Sequence, residues 1–236
     1  MVALSLMTTL LLATRNPHKV REMQAILGES FRLLTLDDFP GAPQIVEDAP
    51  TFAGNAIKKA VGLAQWLAPA PPAAPLLPQW VLADDSGLEV DALHGAPGVH
   101  SARFAAPGQK ASLAGNSSDA ENNAKLLRLL AGVPAAKRTA RFRCVIALTP
   151  VLTEKIETAS PVCYADEFEL QTEQFEGVCE GRILFEPRGQ NGFGYDPLFV
   201  PEGCEQTFAE LGAAVKNQIS HRARALVKVR DYLGRR

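Results

Sequence analysis

Apolar and polar positions along the chain switch repeatedly between two rhythms. Residues 8–13 form an apolar run that reads as a buried strand. Val20, Met23 and Leu27 then recur at helical spacing. Between them Asn16 suits an N-cap and Pro17 the first helical position. A second helix is predicted over 51–67, with Ala53, Ile57, Ala60, Ala64 and Leu67 on one side. The run 80–83 reads as a buried strand, and 88–92, alternating apolar and acidic, as a half-buried one. Ser118 followed by Glu121 gives a capping-box pattern ahead of a helix through Leu130. Residues 141–148 alternate and then turn apolar, as a strand entering a core does. The stretch 167–178 predicts one or two further strands, with Gly177 and Gly181 marking turns. A short strand at 197–200 precedes a final helix over 220–233 that directs Ala223, Leu226, Val227 and Leu233 inward. Helices alternating with strands predict an α/β protein, and no internal repeat interrupts the order.

Composition narrows the function classes. A formal net charge of -2 argues against a nucleic-acid polymer as partner. A small phosphorylated ligand, needing only a few local cations, stays open. Cys144, Cys163, Cys179 and Cys204 form no C-x-x-C pair and sit at no zinc spacing with His, which reads as four reduced thiols in a cytoplasmic protein. The apolar residues 1–13 lack a basic region and are too short to span a bilayer, so neither a signal peptide nor a membrane anchor is expected; Met7 stands beside Met1 as a second candidate start. The Pro/Ala-rich segment 68–79 reads as a loop insertion and 105–117 as a second, mobile loop, both within one domain spanning 1–236.

Five clusters carry candidate chemistry. Thr14, Arg15, Asn16, Pro17, His18 and Lys19 lie between a strand and a helix, where unpaired N–H groups favour an anion; a capped helix with a solvated Lys reads equally well. Asp84-Asp85-Ser86-Gly87 follows an apolar strand. Two adjacent carboxylates repel unless a cation is near, and such oxygens suit Mg²⁺, although the same four residues also make a turn. In the block 191–197, glycines flank Phe193 and let a flat ligand come close, with Asp196 a hydrogen-bond acceptor for it; a tight turn with a core Phe is the alternative. Lys216 with Ser220, His221 and Arg222 places cations at a helix N-terminus, which is unfavourable unless an anion is present. Glu47 precedes a helix on which Asn55 and Lys59 share a face.

Taken in order, the stretches LLATRNPHKVREM, TFAGNAIKKA, LADDSGLEVDALHGAPGVHSARF, ARFRCVIAL, GFGYDPLF and KNQISHRARAL resemble the inosine triphosphate pyrophosphatase family over nearly the whole chain. The resemblance implies an elongated mixed β-sheet with flanking helices, two lobes with a cleft between them, and a homodimer. It implies hydrolysis of ITP, dITP and XTP to the monophosphate and pyrophosphate with Mg²⁺, which clears deaminated purines from the nucleotide pool. The loop Thr14 to Lys19 corresponds to a triphosphate-binding loop, Lys59 to a phosphate-facing lysine and Ser86 to a substrate contact. Glu47 and Asp84 correspond to Mg²⁺ ligands, and Asp85 to the general base with a further contact to the metal. Phe193 corresponds to a residue stacking on the base, with Gly194, Tyr195 and Asp196 shaping its pocket and Lys216, His221 and Arg222 around base and sugar-phosphate. Departures are Asn191 where Gly is common, His100 for an aromatic, and longer segments at 68–79 and 105–117.

Two other functions remain to be weighed. A pyrophosphatase for modified pyrimidine or methylated nucleotides is disfavoured by the SHR and GFGYDP blocks together. A non-catalytic nucleotide sensor would keep the cradle and lose the carboxylates, whereas Glu47, Asp84 and Asp85 are all present.

Overall fold

The computed structural model describes residues 7–69, 77–106, 116–152 and 167–235. Six strands form one mixed sheet in the order β2-β1-β3-β4-β5-β6. They are β1 (Thr9–Leu12), β2 (Arg32–Thr35), β3 (Trp80–Val90), β4 (Thr139–Pro150), β5 (Glu173–Ile183) and β6 (Phe199–Pro201). β1 pairs in parallel with β2 and β3; the remaining pairings are antiparallel. The helices are α1 (Pro17–Leu27), α2 (Phe52–Leu67), α3 (Asp119–Leu129), α4 (Glu167–Leu170), α5 (Phe208–Ile219) and α6 (His221–Leu233). None is long and apolar enough to cross a membrane.

Side chains alternate across a strand, so each face of the sheet collects its own core. On one face α2 lays Ala56, Ala60, Leu63, Ala64 and Leu67 over Leu11, Val81, Ala83, Val145 and Ala147. On the other, α1 and α6 cover Leu10, Leu12, Leu82, Ile146 and Leu148 with Met23, Leu27, Leu226 and Val229. Further along that same face Leu88, Val90, Ala140 and Phe142 meet Leu126, Phe199 and Phe208.

The local signals hold where they are self-contained. Asn16, Thr51, Ser118 and Ser220 are the N-caps of α1, α2, α3 and α6, and Ser118 with Glu121 completes its capping box. Where tertiary contact decides, the sequence reading needs correction. The two strands expected at 80–83 and 88–92 are one, because Asp84–Gly87 pairs in register with Cys144, Val145 and Ile146 on β4 and continues to Arg143. Gly177 and Gly181 mark no turns but lie inside β5. A Cβ at Gly177 would stand 2.0 Å from the His221 carbonyl, so α6 lies directly on the strand there. Only part of the 167–178 stretch is strand, its start being the short α4. On α6, Ala223, Leu226 and Leu233 are buried as expected, whereas Val227 is 39% exposed and Ala225 and Val229 point inward. β2 and α5 carry no counterpart in the sequence reading. Residues 70–76 of the Pro/Ala-rich insertion, 107–115 of the second loop and Cys163 lie outside the described residues.

Candidate active site

β1 pairs with β3 only at Trp80, Val81 and Leu82. Beyond that point the chain leaves β1 for the loop before α1, and among the described residues no strand pairs with β3 on that edge at 84–87. A cavity of about 790 Å³ opens along this edge, walled by the loop 14–19, the segment 43–47, α2, the short 3-10 turn Gly98–Arg103, the start of α3, residues 193–196 and the facing ends of α5 and α6. An edge leaves backbone groups that need partners. Here Lys59 Nζ donates to the Asp84 carbonyl at 2.7 Å, and the Ser86 N–H donates to Asp85 Oδ1 at 3.2 Å.

Because β3 is extended at this point, Asp84 and Asp85 project from opposite faces of the sheet. Asp85 faces α2. Asn55 Nδ2 donates to its Oδ2 at 3.0 Å, while Asn55 Oδ1 accepts from the Ala49 N–H at 2.9 Å, so Asn55 ties the carboxylate to the segment bearing Glu47. Burial pushes the Asp85 pKa up; Lys59 and Lys19 pull it back without cancelling the rise, and Glu47 adds to it. Lys59 Nζ lies 2.7 Å from Glu47 Oε2 and 3.9 Å from Asp85 Oδ1.

Asp84 faces α1 and α6, and its side chain is fully buried. Lys19 Nζ and Ser86 Oγ bond its Oδ1; Arg222 Nε at 3.1 Å and Cys144 Sγ at 3.0 Å bond its Oδ2. Burial alone would raise its pKa, but Arg222 and Lys19 outweigh burial and hold the carboxyl well below the usual range. The same contacts drive the Cys144 thiol well up, burial first and Asp84 second.

The expected cationic cluster is assembled but already neutralised. Arg222 also reaches Glu22 through Nη1 and Ser86 Oγ through Nη2 at 2.8 Å. Lys216 Nζ pairs with Glu22 at 2.8 Å and with Asp196. The anion that these residues required at the start of α6 is therefore supplied by Glu22, Asp84 and Asp196, and the Ser220 hydroxyl is spent capping the Ala223 N–H. His221 is not cationic: burial, then Arg222 and Lys216, push its pKa well down. Its ring stacks on Phe142 at 4.8 Å, and its buried Nδ1 has no partner among the described residues.

Asp196 lines the cavity and is tied to its neighbours. Its Oδ2 accepts the Phe193 N–H at 2.9 Å and binds Lys216, so it holds the aromatic loop from within. Gly192, at φ 79°, is required by that arrangement, since a Cβ there would meet Asp196 Oδ2 at 2.2 Å. α3 grips the same loop: Asp119 Oδ2 accepts the Gly194 N–H at 2.6 Å, and Asn123 Nδ2 donates to the Gly194 carbonyl at 3.0 Å. Tyr195 is buried, its hydroxyl bonded to the Ser101 carbonyl at 2.9 Å. Phe193 is left facing the cavity, with the His18 ring stacked on it at 5.1 Å and Lys216 Nζ 4.5 Å from its centroid.

The loop Thr14 to Lys19 is less open to an anion than its position suggested. The Asn16 N–H is taken by Thr14 Oγ1 at 3.1 Å, and the His18 and Lys19 N–H groups by Asn16 Oδ1 at 2.9 and 3.3 Å. Pro17 has no N–H to offer. Among what the loop still presents are three side chains: Lys19 on Asp84, His18 on Phe193, and Arg15, which donates to the Ala42 carbonyl at 3.1 Å.

The sequence model of the Ham1 family matches residues 10–232. The chain belongs to the Ham1 family. It is 46% identical over 227 residues to the dITP/XTP pyrophosphatase of Desulforamulus reducens, covering 96% of each chain. Against the dITP/XTP pyrophosphatase of Geobacter sulfurreducens it is 45% identical over 229 residues, covering 97% of this chain and 98% of that one. In structure it resembles a Ham1 protein from Coxiella burnetii with TM-score 0.73 and 36% identity, over 98% of this chain and 100% of that one. The Ham1 protein of Staphylococcus aureus gives TM-score 0.72 and 31% identity, over 96% of this chain and 98% of that one.

In this Ham1 chain the described residues form no ready cluster of three or more Asp, Glu, His or Cys around one point. Glu47 and Asp85 do converge, on Lys59 Nζ. Two carboxylates that leave the remaining positions to phosphate oxygens and water are a donor set for Mg²⁺ and not for zinc. Asp84, expected beside Glu47, is on the opposite face with both oxygens engaged. Glu22, Arg103, Asp119 and Asn123 escaped the sequence reading. Glu22 alone had a local signal, lying three residues after Lys19 on the same side of α1.

Proposed function

We propose that this Ham1 chain hydrolyses ITP, dITP and XTP to the monophosphate and pyrophosphate in the presence of Mg²⁺. The observation that carries the reading is Asp85: a carboxylate on the cavity wall, its pKa raised by burial, beside Lys59 and Glu47. The names of the two pyrophosphatase relatives, nearly full-length matches, support the substrate class.

Glu47 and Asp85 would hold Mg²⁺, which would offset phosphate charge. Asp85 takes the proton of the attacking water, which it reaches from the cavity wall beside Lys59 and Glu47. Lys19, Lys59 and the loop Thr14 to Lys19 offset the charge of the phosphates as they separate. Asp84 holds no metal in this assignment; it fixes Lys19 and Arg222, and through Arg222 the Ser86 hydroxyl, which touches substrate. The purine stacks on Phe193 in the place that His18 takes here, in a pocket shaped by Gly194, Tyr195 and Asp196. Neutral His221, with its unpartnered Nδ1, and Arg222 meet the 6-oxo edge of the base, and Lys216 lies under the ring. Adenine presents a 6-amino donor and no N1–H, and leaves these groups unpaired.

The cavity lies between a lobe built on β1, β2 and α2 and another built on β5, β6, α3 and α5, within one functional domain. We further propose a cytoplasmic setting and, as the family resemblance implies, a homodimer as the working form.

The test is kcat/KM for ITP and XTP against ATP and GTP with Mg²⁺. We expect a preference of about a hundredfold or more over ATP, the scale on which unpaired polar groups discriminate. Equal rates on all four would remove the purine-edge reading and leave only a triphosphate site.

A further inference from the structure

The basic side chains lining the cavity fall into two groups. Lys19, Lys59, Lys216 and Arg222 each sit on a carboxylate. Arg15 and Arg103 do not: among the described residues neither forms an ion pair, and each is held by one bond to a main-chain carbonyl. Arg15 Nη2 donates to Ala42 O at 3.1 Å, and Arg103 Nη2 donates to Glu47 O at 3.3 Å. They thus grip the two ends of the segment 42–47, which lines the cavity and carries Glu47.

We propose that Arg103 is a phosphate-binding residue, which engages the polyphosphate of the substrate together with Lys19 and Lys59. A guanidinium carries five N–H groups in a rigid fork, and one bond to a carbonyl leaves the rest for phosphate oxygens. A triphosphate brings more negative charge than one divalent cation offsets, and the lysines are already partly neutralised, so an uncompensated guanidinium on the wall has the largest effect on it. The position is pre-organised. Two residues earlier, Ser101 Oγ accepts the Leu88 N–H at 2.9 Å and donates to the Gly98 carbonyl at 2.6 Å, and its carbonyl holds Tyr195. The turn bearing Arg103 is thereby fixed both to β3 and to the loop under the base. Its bond to the Glu47 carbonyl couples phosphate capture to the segment carrying the proposed Mg²⁺ ligand.

This proposal rests on the reading of the cavity as a triphosphate site, and its test separates the two. Inorganic tripolyphosphate is titrated calorimetrically into the wild type, Arg103→Ala and Arg103→Lys, once with Mg²⁺ and once in EDTA, each variant first checked by thermal melting. Arg103→Ala is expected to weaken tripolyphosphate by about tenfold to a hundredfold, the worth of a charged hydrogen-bonded contact, in both conditions. Arg103→Lys, keeping charge without the fork, is expected to fall between. If Arg103→Ala fails to fold, a weakened Arg103→Lys carries the proposal and an unchanged one overturns it. Unchanged affinity in a folded Arg103→Ala overturns it as well. A loss seen only with Mg²⁺ also overturns it, because Arg103 would then act through Glu47 alone. A wild type that binds no tripolyphosphate in either condition removes the triphosphate reading and the proposal together.

Discussion

Asp85→Asn is expected to abolish pyrophosphate release from ITP, lowering kcat by about two to four orders of magnitude, the usual contribution of a positioned general base. The fold is expected to survive. An amide can still accept one bond, from Asn55 Nδ2 or from the Ser86 N–H, and Lys59, 3.9 Å from Asp85, keeps Glu47 as a carboxylate partner at 2.7 Å. Denaturant midpoints of mutant and wild type should therefore agree closely while turnover differs. Titrating Mg²⁺ sharpens the result. A residue that only held metal would be rescued by excess Mg²⁺; a base would not. Restoration of near-wild-type kcat at high Mg²⁺ would assign Asp85 to binding alone and leave the proton without an acceptor.

Asp84→Ala has the opposite signature, a large loss of stability. It strips the shared partner from Lys19 and Arg222 where the carboxylate is fully buried. Removing one member of a buried pair typically costs about 3–5 kcal/mol, because the other charge is left without compensation. The lower end is expected, since Glu22 still faces Arg222 and the Lys19 side chain is 16% exposed. The pH dependence has a definite sign. The folded pKa of Asp84 lies well below the ordinary 3.8, so its stabilisation is complete above the unfolded pKa and fades as pH falls through the folded one. Urea unfolding at neutral pH should show the full difference between wild type and Asp84→Ala. The gap should narrow only below about pH 4, near the unfolded carboxylate value. Equal midpoints at neutral pH would mean that Lys19 and Arg222 do not depend on Asp84.

The contrast between these neighbours shows which parts of the molecule the sequence could disclose. The caps Asn16 and Ser118 were legible because a cap is a local event, each bonding an N–H two or three residues on, as Thr51 and Ser220 also do. The clusters around Lys19, Asp84, Phe193 and Arg222 were legible as chemistry, and all border one cavity. Their partners were not. Asp84–Gly87 carries turn-forming residues but stays extended because β4 pairs with it and α1, α2 and α6 satisfy its side chains. Asp84 and Asp85 take different surroundings because side chains alternate on an extended backbone, and the pairing of β3 with β4 keeps both residues extended. Glu22 matters through Lys216 and Arg222 on distant helices, and Arg103 through the carbonyl of Glu47, distant in sequence. Asp196 was legible as a site residue, but its bonds to the Phe193 N–H and to Lys216 were not. Such roles depend on which surfaces meet, and residue type and spacing do not encode that locally.

The central claim concerns which bond breaks. Phosphorus NMR of ITP turned over by the wild-type protein with Mg²⁺ tests it directly. The account predicts inosine monophosphate and pyrophosphate as the only products from the first turnover, with neither inosine diphosphate nor free phosphate accumulating. Inosine diphosphate with free phosphate as the initial products would place the attack at the terminal phosphate and contradict the assignment of this cavity.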